Sequence, residues 1–301
     1  MSTRVVEFVE FHKFCCWNDS IVVQLKSYAD LKRLTLEQRE YLVLFYSLSY
    51  SIPTAIVCLA NLEQIKRDPE AFWSEHKENL IFQSDRRWVK FNNMFAPAFL
   101  DFEKKGILKQ LRGMDMLDAG KSIELIQKVC YFARFGAFLF LEAYCFMFEK
   151  KTFNDSIDWL NGDTATSGML NVLGLDGCAE MFDDKNKLLV KKELLDYGMQ
   201  KIQSMISPND FCRSIIFIET TLCAYRKHFK GTRYVGYYVD RVLQELIRMQ
   251  KSFPDFRGDF DLLYTARAAA IPLRMLGEIN GWQGIRKKLC KHYIQTGDWR
   301  V

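Results

Sequence analysis

Residues 120 to 150 carry the run Ile123-Glu-Leu-Ile-Gln-Lys-Val-Cys-Tyr-Phe-Ala-Arg-Phe-Gly-Ala-Phe-Leu-Phe-Leu-Glu-Ala-Tyr-Cys-Phe-Met-Phe148. A helix this apolar on nearly every side has no face to offer water, so other elements must wrap it. Its charges interrupt it well short of a membrane span. The run therefore predicts a core helix over 120–150 with further helices packed around it. The rest of the chain supplies them. Thr35 followed three residues later by Gln38 is a capping-box pattern opening a helix, and Pro53 suits the first turn of the next. Helical spacing predicts further elements at 69–79, 86–105 (through Pro97), 166–173, 187–206, 208–227, 235–251, 259–276 and 284–293. Alternation is scarce, and Ser20-Ile-Val-Val-Gln24 is the best strand candidate. The fold class is all-α: one irregular domain of about ten helices over 1–301, with 1–34 as an N-terminal extension packed on it.

Composition narrows the class further. Of 301 residues, 49% are hydrophobic and 14% aromatic, with only 6 prolines, which describes a folded globular chain and excludes a disordered one. The 9 cysteines (Cys15, Cys16, Cys58, Cys130, Cys145, Cys178, Cys212, Cys223, Cys290) form no CxxC pair and are odd in number. That argues against a secreted disulfide scaffold, and most read as reduced core residues. With no signal-peptide pattern at the N-terminus, the expectation is a soluble protein of a reducing cytoplasm.

The net charge is +5, mildly basic, but the cations cluster. Arg226-Lys-His-Phe-Lys-Gly-Thr-Arg-Tyr-Val-Gly-Tyr-Tyr-Val-Asp-Arg241 mixes Lys and Arg, three tyrosines and two glycines just before an amphipathic helix. Guanidinium forks suit phosphate oxygens and tyrosine rings stack on bases, so the segment points to a polyanionic, nucleic-acid ligand. A solvated basic loop is the competing reading. No phosphate loop, GxGxxG, HExxH, GxSxG or zinc spacing occurs, and the four histidines are scattered. What remains is anion binding and electrostatic catalysis by Arg, Lys, carboxylates and hydroxyls.

Four further segments carry polar groups out of proportion to their surroundings. In Ser47-Leu-Ser-Tyr-Ser-Ile-Pro-Thr-Ala55 the hydroxyls serve helix ends, or Tyr50 and Thr54 hydrogen-bond a ligand. In Ser84-Asp-Arg-Arg-Trp-Val-Lys-Phe-Asn-Asn93, Ser84 or Asp85 can cap a helix whose first turns bear Arg86, Arg87 and Lys90, a plausible pyrophosphate site or a solvated face. In Arg134-Phe-Gly-Ala-Phe-Leu-Phe-Leu-Glu142 both charges can face inward, where each needs a partner or a ligand, or one snorkels out. The loop 158–168 is dense in small polar residues: Asp163 is a carboxylate acceptor or base, with Thr164, Thr166 and Ser167 beside it at a helix start.

Five of these motifs occur in a suggestive order: Tyr50-Ser-Ile-Pro-Thr-Ala55, Ser84-Asp-Arg-Arg-Trp-Val-Lys90, Arg134 to Glu142, Trp159-Leu-Asn-Gly-Asp-Thr-Ala-Thr-Ser-Gly168, and Gly231-Thr-Arg-Tyr-Val-Gly-Tyr-Tyr-Val-Asp-Arg241. From about residue 40 to 280 the chain resembles the all-helical bacteriophage α-glutamyl/putrescinyl thymine pyrophosphorylases, or amino acid:DNA transferases, of thymine hypermodification. The resemblance implies double-stranded DNA bearing pyrophosphorylated 5-hydroxymethyluracil as substrate, an amino acid or polyamine as nucleophile, release of pyrophosphate, and a host bacterial cytoplasm as setting. It implies Arg86, Arg87, Lys90, Arg134, Arg226, Lys227, Arg233 and Arg241 at the pyrophosphate and DNA. Tyr50, Thr54, Thr164, Thr166, Ser167, Tyr234, Tyr237 and Tyr238 would bind substrate and base. Asp163, Glu142 or Asp240 would take the proton of the incoming ammonium. Mg²⁺ suits a pyrophosphate leaving group, though no acidic cluster announces it. A helical DNA-binding or glycosylase-like protein, and a non-catalytic helical interaction protein, are the alternatives.

Overall fold

The structure is a computed structural model that describes residues 3–15, 21–84, 86–114, 116–153, 163–175, 187–208, 210–230 and 237–270. It is all-α apart from one short strand pair. The helices in chain order are α1 (Thr3–Cys15), α2 (Ile21–Leu31), α3 (Leu36–Ser49), α4 (Ile52–Ala60), α5 (Leu62–Arg67), α6 (Pro69–His76), α7 (Arg86–Phe91), α8 (Phe95–Lys105), α9 (Ile107–Arg112) and α10 (Ala119–Gln127). They continue with α11 (Arg134–Phe148), α12 (Asp163–Leu173), α13 (Lys187–Ser204), α14 (Ile215–Phe229), α15 (Tyr237–Ser252) and α16 (Arg257–Ala270). Strands β1 (Met116–Asp118) and β2 (Lys151–Phe153) pair in parallel, with Leu117 opposite Thr152.

Local chemistry sets several of these boundaries. The Thr35 capping box is complete: the Gln38 N–H donates to Thr35 Oγ1 at 3.3 Å, and the Thr35 N–H to Gln38 Oε1 at 2.9 Å. Ser51 caps α4 ahead of Pro53, and Asp68 caps α6 ahead of Pro69, each proline falling in a first turn where its missing N–H is not needed.

Three expected elements differ. The helix expected over 86–105 is two, because Asn93 sits at φ 54° between α7 and α8, a left-handed conformation Asn tolerates better than most residues. The Trp73 indole N–H donates to Asn93 Oδ1 at 3.0 Å and fixes that corner. The helix expected over 120–150 is also two, α10 and α11, broken where Tyr131 turns to φ 67°. The strand expected at Ser20–Gln24 belongs to helix α2 from Ile21 onward, with Val22, Leu25, Tyr28 and Ala29 buried at helical spacing. Packing of that face overrides the β-propensity of Ile21-Val22-Val23.

The chain separates into two compact units, one comprising 1–20, 155–238 and 272–301 and the other 21–154 and 239–271. In the first, α12 packs on α14 and α13, and α1 packs on all three. The Tyr225 ring meets Phe8 and Phe11 edge-on at 5.4 and 5.2 Å. In the second unit α3 packs on α4, α7 and α11, α2 on α11 and α16, and α6 on α8. Its core is aromatic: Phe45 stacks on Phe95 and Phe99 at 6.1 and 5.9 Å, and Trp73 on Phe95 at 5.3 Å. No helix among the described residues is long and apolar enough to cross a membrane.

Candidate functional site

The second unit gathers four separate chain segments around the end of α3. Most hydroxyls there are committed to backbone. Ser47 Oγ donates to the Val43 carbonyl at 2.7 Å, and Ser49 Oγ to the Phe45 carbonyl at 2.8 Å. Thr54 Oγ1 donates to the Ile81 carbonyl at 2.8 Å and accepts the Ile81 N–H at 3.0 Å. The Gln83 N–H donates to the Ser49 carbonyl at 2.9 Å. Thr54 thus clamps the 80–83 loop to the α3–α4 corner, and that loop leads straight into α7.

The three cations of α7 then part company. Arg86 is 3% exposed, and its guanidinium lies against Gly136 in the first turn of α11: a Cβ at residue 136 would stand 2.5 Å from Nη1. Lys90 donates to the Leu80 carbonyl at 2.9 Å, and burial pulls its ammonium below the usual lysine range, with Arg248 adding repulsion. Arg87 is exposed. Asp85 lies outside the described residues. At the start of α11, Ala133 is the N-cap residue and supplies no side-chain oxygen, so the first-turn N–H groups have no side-chain cap. Arg134 is the first residue of that helix and half-buried, while Glu142 two turns on is 6% exposed.

Arg241 and Asp240 join this region from α15. The Arg241 guanidinium stands 4.4 Å over the Tyr50 ring, and its Nη2 donates to the Tyr50 carbonyl at 3.2 Å. Its Nε lies 3.1 Å from Glu245 Oε1, with Glu245 buried and Arg241 half-buried. Burial pushes the Glu245 carboxyl up, and Arg241, Ser51 and Gln83 counter it. Burial also raises the Tyr46 hydroxyl well above its ordinary value, in the fields of Tyr50, Glu142, Arg241 and Glu245. Tyr50, held at φ 55° as the C-cap of α3, packs edge-on against Phe135 at 5.8 Å. Asp240 is buried at 1% exposure. The sequence reading assigns Arg241 to a basic segment that binds pyrophosphate and DNA; in the structure it is a half-buried cation committed to a ring, a carbonyl and a carboxylate. Glu245 escaped sequence reasoning, although its i, i+4 spacing from Arg241 on an amphipathic helix was visible.

The remaining candidates fall in the first unit or outside the described residues. In α12, Thr166 is buried and Thr164 and Ser167 half-buried. Gly168 belongs to packing: a Cβ there would come 2.3 Å from the Leu222 carbonyl oxygen of α14. Arg226 Nη1 donates to Asn171 Oδ1 at 3.0 Å, and Arg4 Nη1 to the Asn171 carbonyl at 3.4 Å. Lys227 and Tyr237 are half-buried. Asp163 opens α12 and Tyr238 lies in α15, but their side chains, and Arg233 and Tyr234 altogether, are outside the described residues. In the same unit His12 is fully buried, with Nδ1 2.7 Å from Thr221 Oγ1 and Nε2 2.7 Å from the Cys212 carbonyl. Cys58, Cys130, Cys145 and Cys223 are free thiols, whereas Cys212 is disulfide-bonded. That bond departs from the reduced state expected of the cysteines and is not readable from their spacing.

No protein-family model, curated protein or solved structure matches the chain. Among the described residues no three His, Cys, Asp or Glu side chains gather closely enough to hold a metal ion.

Proposed function

We propose that the chain is a DNA base-modifying transferase: it displaces pyrophosphate from 5-(pyrophosphoryloxymethyl)uracil in DNA with an amino acid or polyamine. One observation carries the reading. The buried Arg86 guanidinium of α7 lies against Gly136 in the first turn of α11, at a helix end that has no side-chain cap and bears Arg134 as its first residue. The N–H groups of a helix N-terminus and a guanidinium close by both suit the oxygens of a dense anion such as pyrophosphate. Four of the five motifs on which the resemblance rests contribute to this place, since segments around Tyr50, Arg86, Arg134 to Glu142 and Arg241 meet in one unit, and the Trp159–Gly168 motif does not.

In the reaction, the amine nitrogen bonds to the methylene carbon on C5 as the carbon–oxygen bond breaks, and pyrophosphate departs with the bonding pair. Arg86 and the α11 N–H groups stabilise the charge that grows on the leaving oxygens. The ammonium proton passes to a carboxylate, and Glu142 suits this best because it shares the electrostatic surroundings of Tyr46, Tyr50 and Arg241. Arg241 acts here by holding Tyr50 in place. The half-buried Tyr50 and the 42% exposed Phe135 connect the cluster to solvent.

The test offers the chain DNA bearing pyrophosphorylated hydroxymethyluracil together with pooled amino acids and polyamines, then digests to nucleosides for mass analysis. An aminomethyl-substituted nucleoside with equimolar pyrophosphate is the expected product. Glu142→Gln keeps shape and loses the charge, so turnover should fall about 10²–10⁴-fold. Absence of any new nucleoside with every amine offered would refute the assignment.

A further inference from the structure

Beside the α11 N-terminus an aromatic pair stands out of the surface with no role in the core. Trp88 is 51% exposed and Tyr131 36% exposed, yet their rings pack at 5.6 Å with a 45° tilt. Two different segments present them: Trp88 comes from α7, and Tyr131 from the turn between α10 and α11. Tyr131 adopts φ 67°, a left-handed conformation that disfavours a bulky side chain by roughly 1 kcal/mol or more. One helical turn beyond Trp88, Phe91 is 78% exposed. Folding alone gains little from rings placed this way, since water still reaches them.

The charges nearest the pair in sequence are mostly cationic. The stretches 86–94 and 125–135 contain Arg86, Arg87, Lys90, Lys128 and Arg134 and no acidic residue. Arg87 and Lys128 are exposed. Asp101 reaches the turn by accepting the Cys130 N–H at 2.7 Å, but its carboxylate is already paired with Lys105 at 2.6 Å. Exposed rings in a cationic setting fit a ligand that is flat and apolar on its faces and anionic along its edge. An unpaired stretch of nucleic acid has that chemistry: bases stack on rings while cations track the phosphates.

We infer that Trp88 and Tyr131 form a stacking platform for unpaired bases, with Arg87 and Lys128 on the flanking phosphates, so that DNA is held locally opened beside Arg86. This rests on the transferase reading for its purpose, but it is tested without any turnover. The measurement is fluorescence anisotropy of labelled, unmodified oligothymidylate, single-stranded and in a fully paired duplex, with the intact chain. The wild type should prefer the single strand. Trp88→Ala and Tyr131→Ala should each weaken single-strand binding about ten- to a hundredfold, the range for a lost base–aromatic stack. Trp88→Phe should retain most of it, and duplex binding should change little.

Unchanged single-strand affinity in both alanine variants would overturn the inference. So would equal losses on single strand and duplex, or a wild type that binds no oligothymidylate. Sedimentation of wild type and Trp88→Ala covers the remaining occupant: a dimer that dissociates in the variant without loss of binding would make this face a contact between copies and overturn the platform. Stacking that holds while nucleoside analysis finds no transfer would leave the platform standing and remove the transferase.

Discussion

Arg241 and Glu245 show how far a single side chain can depart from what its neighbours in sequence suggest. Embedded in a basic, tyrosine-rich segment, Arg241 is nonetheless 11% exposed and Glu245 4% exposed, bound to each other at 3.1 Å. Removing one partner strands the other charge out of water, which typically costs about 3–5 kcal/mol. Arg241→Ala should therefore lower the denaturant midpoint strongly, and adding Glu245→Gln should restore part of the loss, because a neutral amide tolerates burial better. Additive losses in the double variant would mean the two do not interact. His12 makes a second residue-scale prediction. Burial lowers its pKa, against smaller upward effects of the Cys212 carbonyl and Asp210 and a smaller downward one from Lys13. The folded chain thus takes up the proton less readily than the unfolded chain, and stability rises with pH in that interval. The contribution is complete above the unfolded value of about 6.5 and is lost as pH falls through the folded one. Urea melts between pH 8 and 5 should show that acid loss, and His12→Gln should flatten it.

Helix identity was largely legible in the sequence, because the apolar spacing of α3, α11, α14 and α15, the capping box at Thr35 and the first-turn Pro53 are local signals. The breaks inside 86–105 and 120–150 were not. Both occur where a non-glycine residue, Asn93 or Tyr131, takes a left-handed conformation held by contacts from elsewhere, and only Asn carries any local hint of it. The α2 strand expectation failed for the same reason, since burial against α11 and α16 outweighed three β-branched residues. At the candidate site, Arg134 and Glu142 were visible as charges in apolar company, whereas the burial of Arg86 among three clustered cations was not. The i, i+4 spacing of Arg241 and Glu245 is in the sequence, but solvated helix faces carry the same spacing, so it does not reveal that the pair is withdrawn from water. Two glycines separate packing from function at this scale. Gly168→Ala puts a methyl against backbone of α14, which cannot step aside, so α12 and α14 must separate at a cost of about 1–3 kcal/mol. Gly136→Ala instead meets the Arg86 guanidinium. A helical alanine gains up to about 1 kcal/mol over glycine, so the melting temperature should hold or rise while transfer activity collapses. Equal destabilisation by both substitutions would assign Gly136 to packing as well.

For the molecule as a whole, the net charge of +5 is modest, and any affinity for nucleic acid should come from local clusters. For single strands each neutralised phosphate contributes about −0.7 to the slope of log K against log salt. Contacts by Arg87 and Lys128 should therefore give a slope of about −1.4, and a slope near zero would exclude phosphate contacts by them. The division into units has another consequence, in time. The second unit combines residues 21–154 with 239–271, and Tyr28 donates its hydroxyl to Asp259 across 231 positions. A ribosome adding about 5–20 residues per second leaves roughly 10–50 s between emergence of the two partners. Through that interval the α2 face that α16 will cover, and the Tyr50 ring that awaits Arg241, are presented to the cell unfinished. A nascent chain of this design must rely on slow aggregation or on a chaperone until its last third has been made.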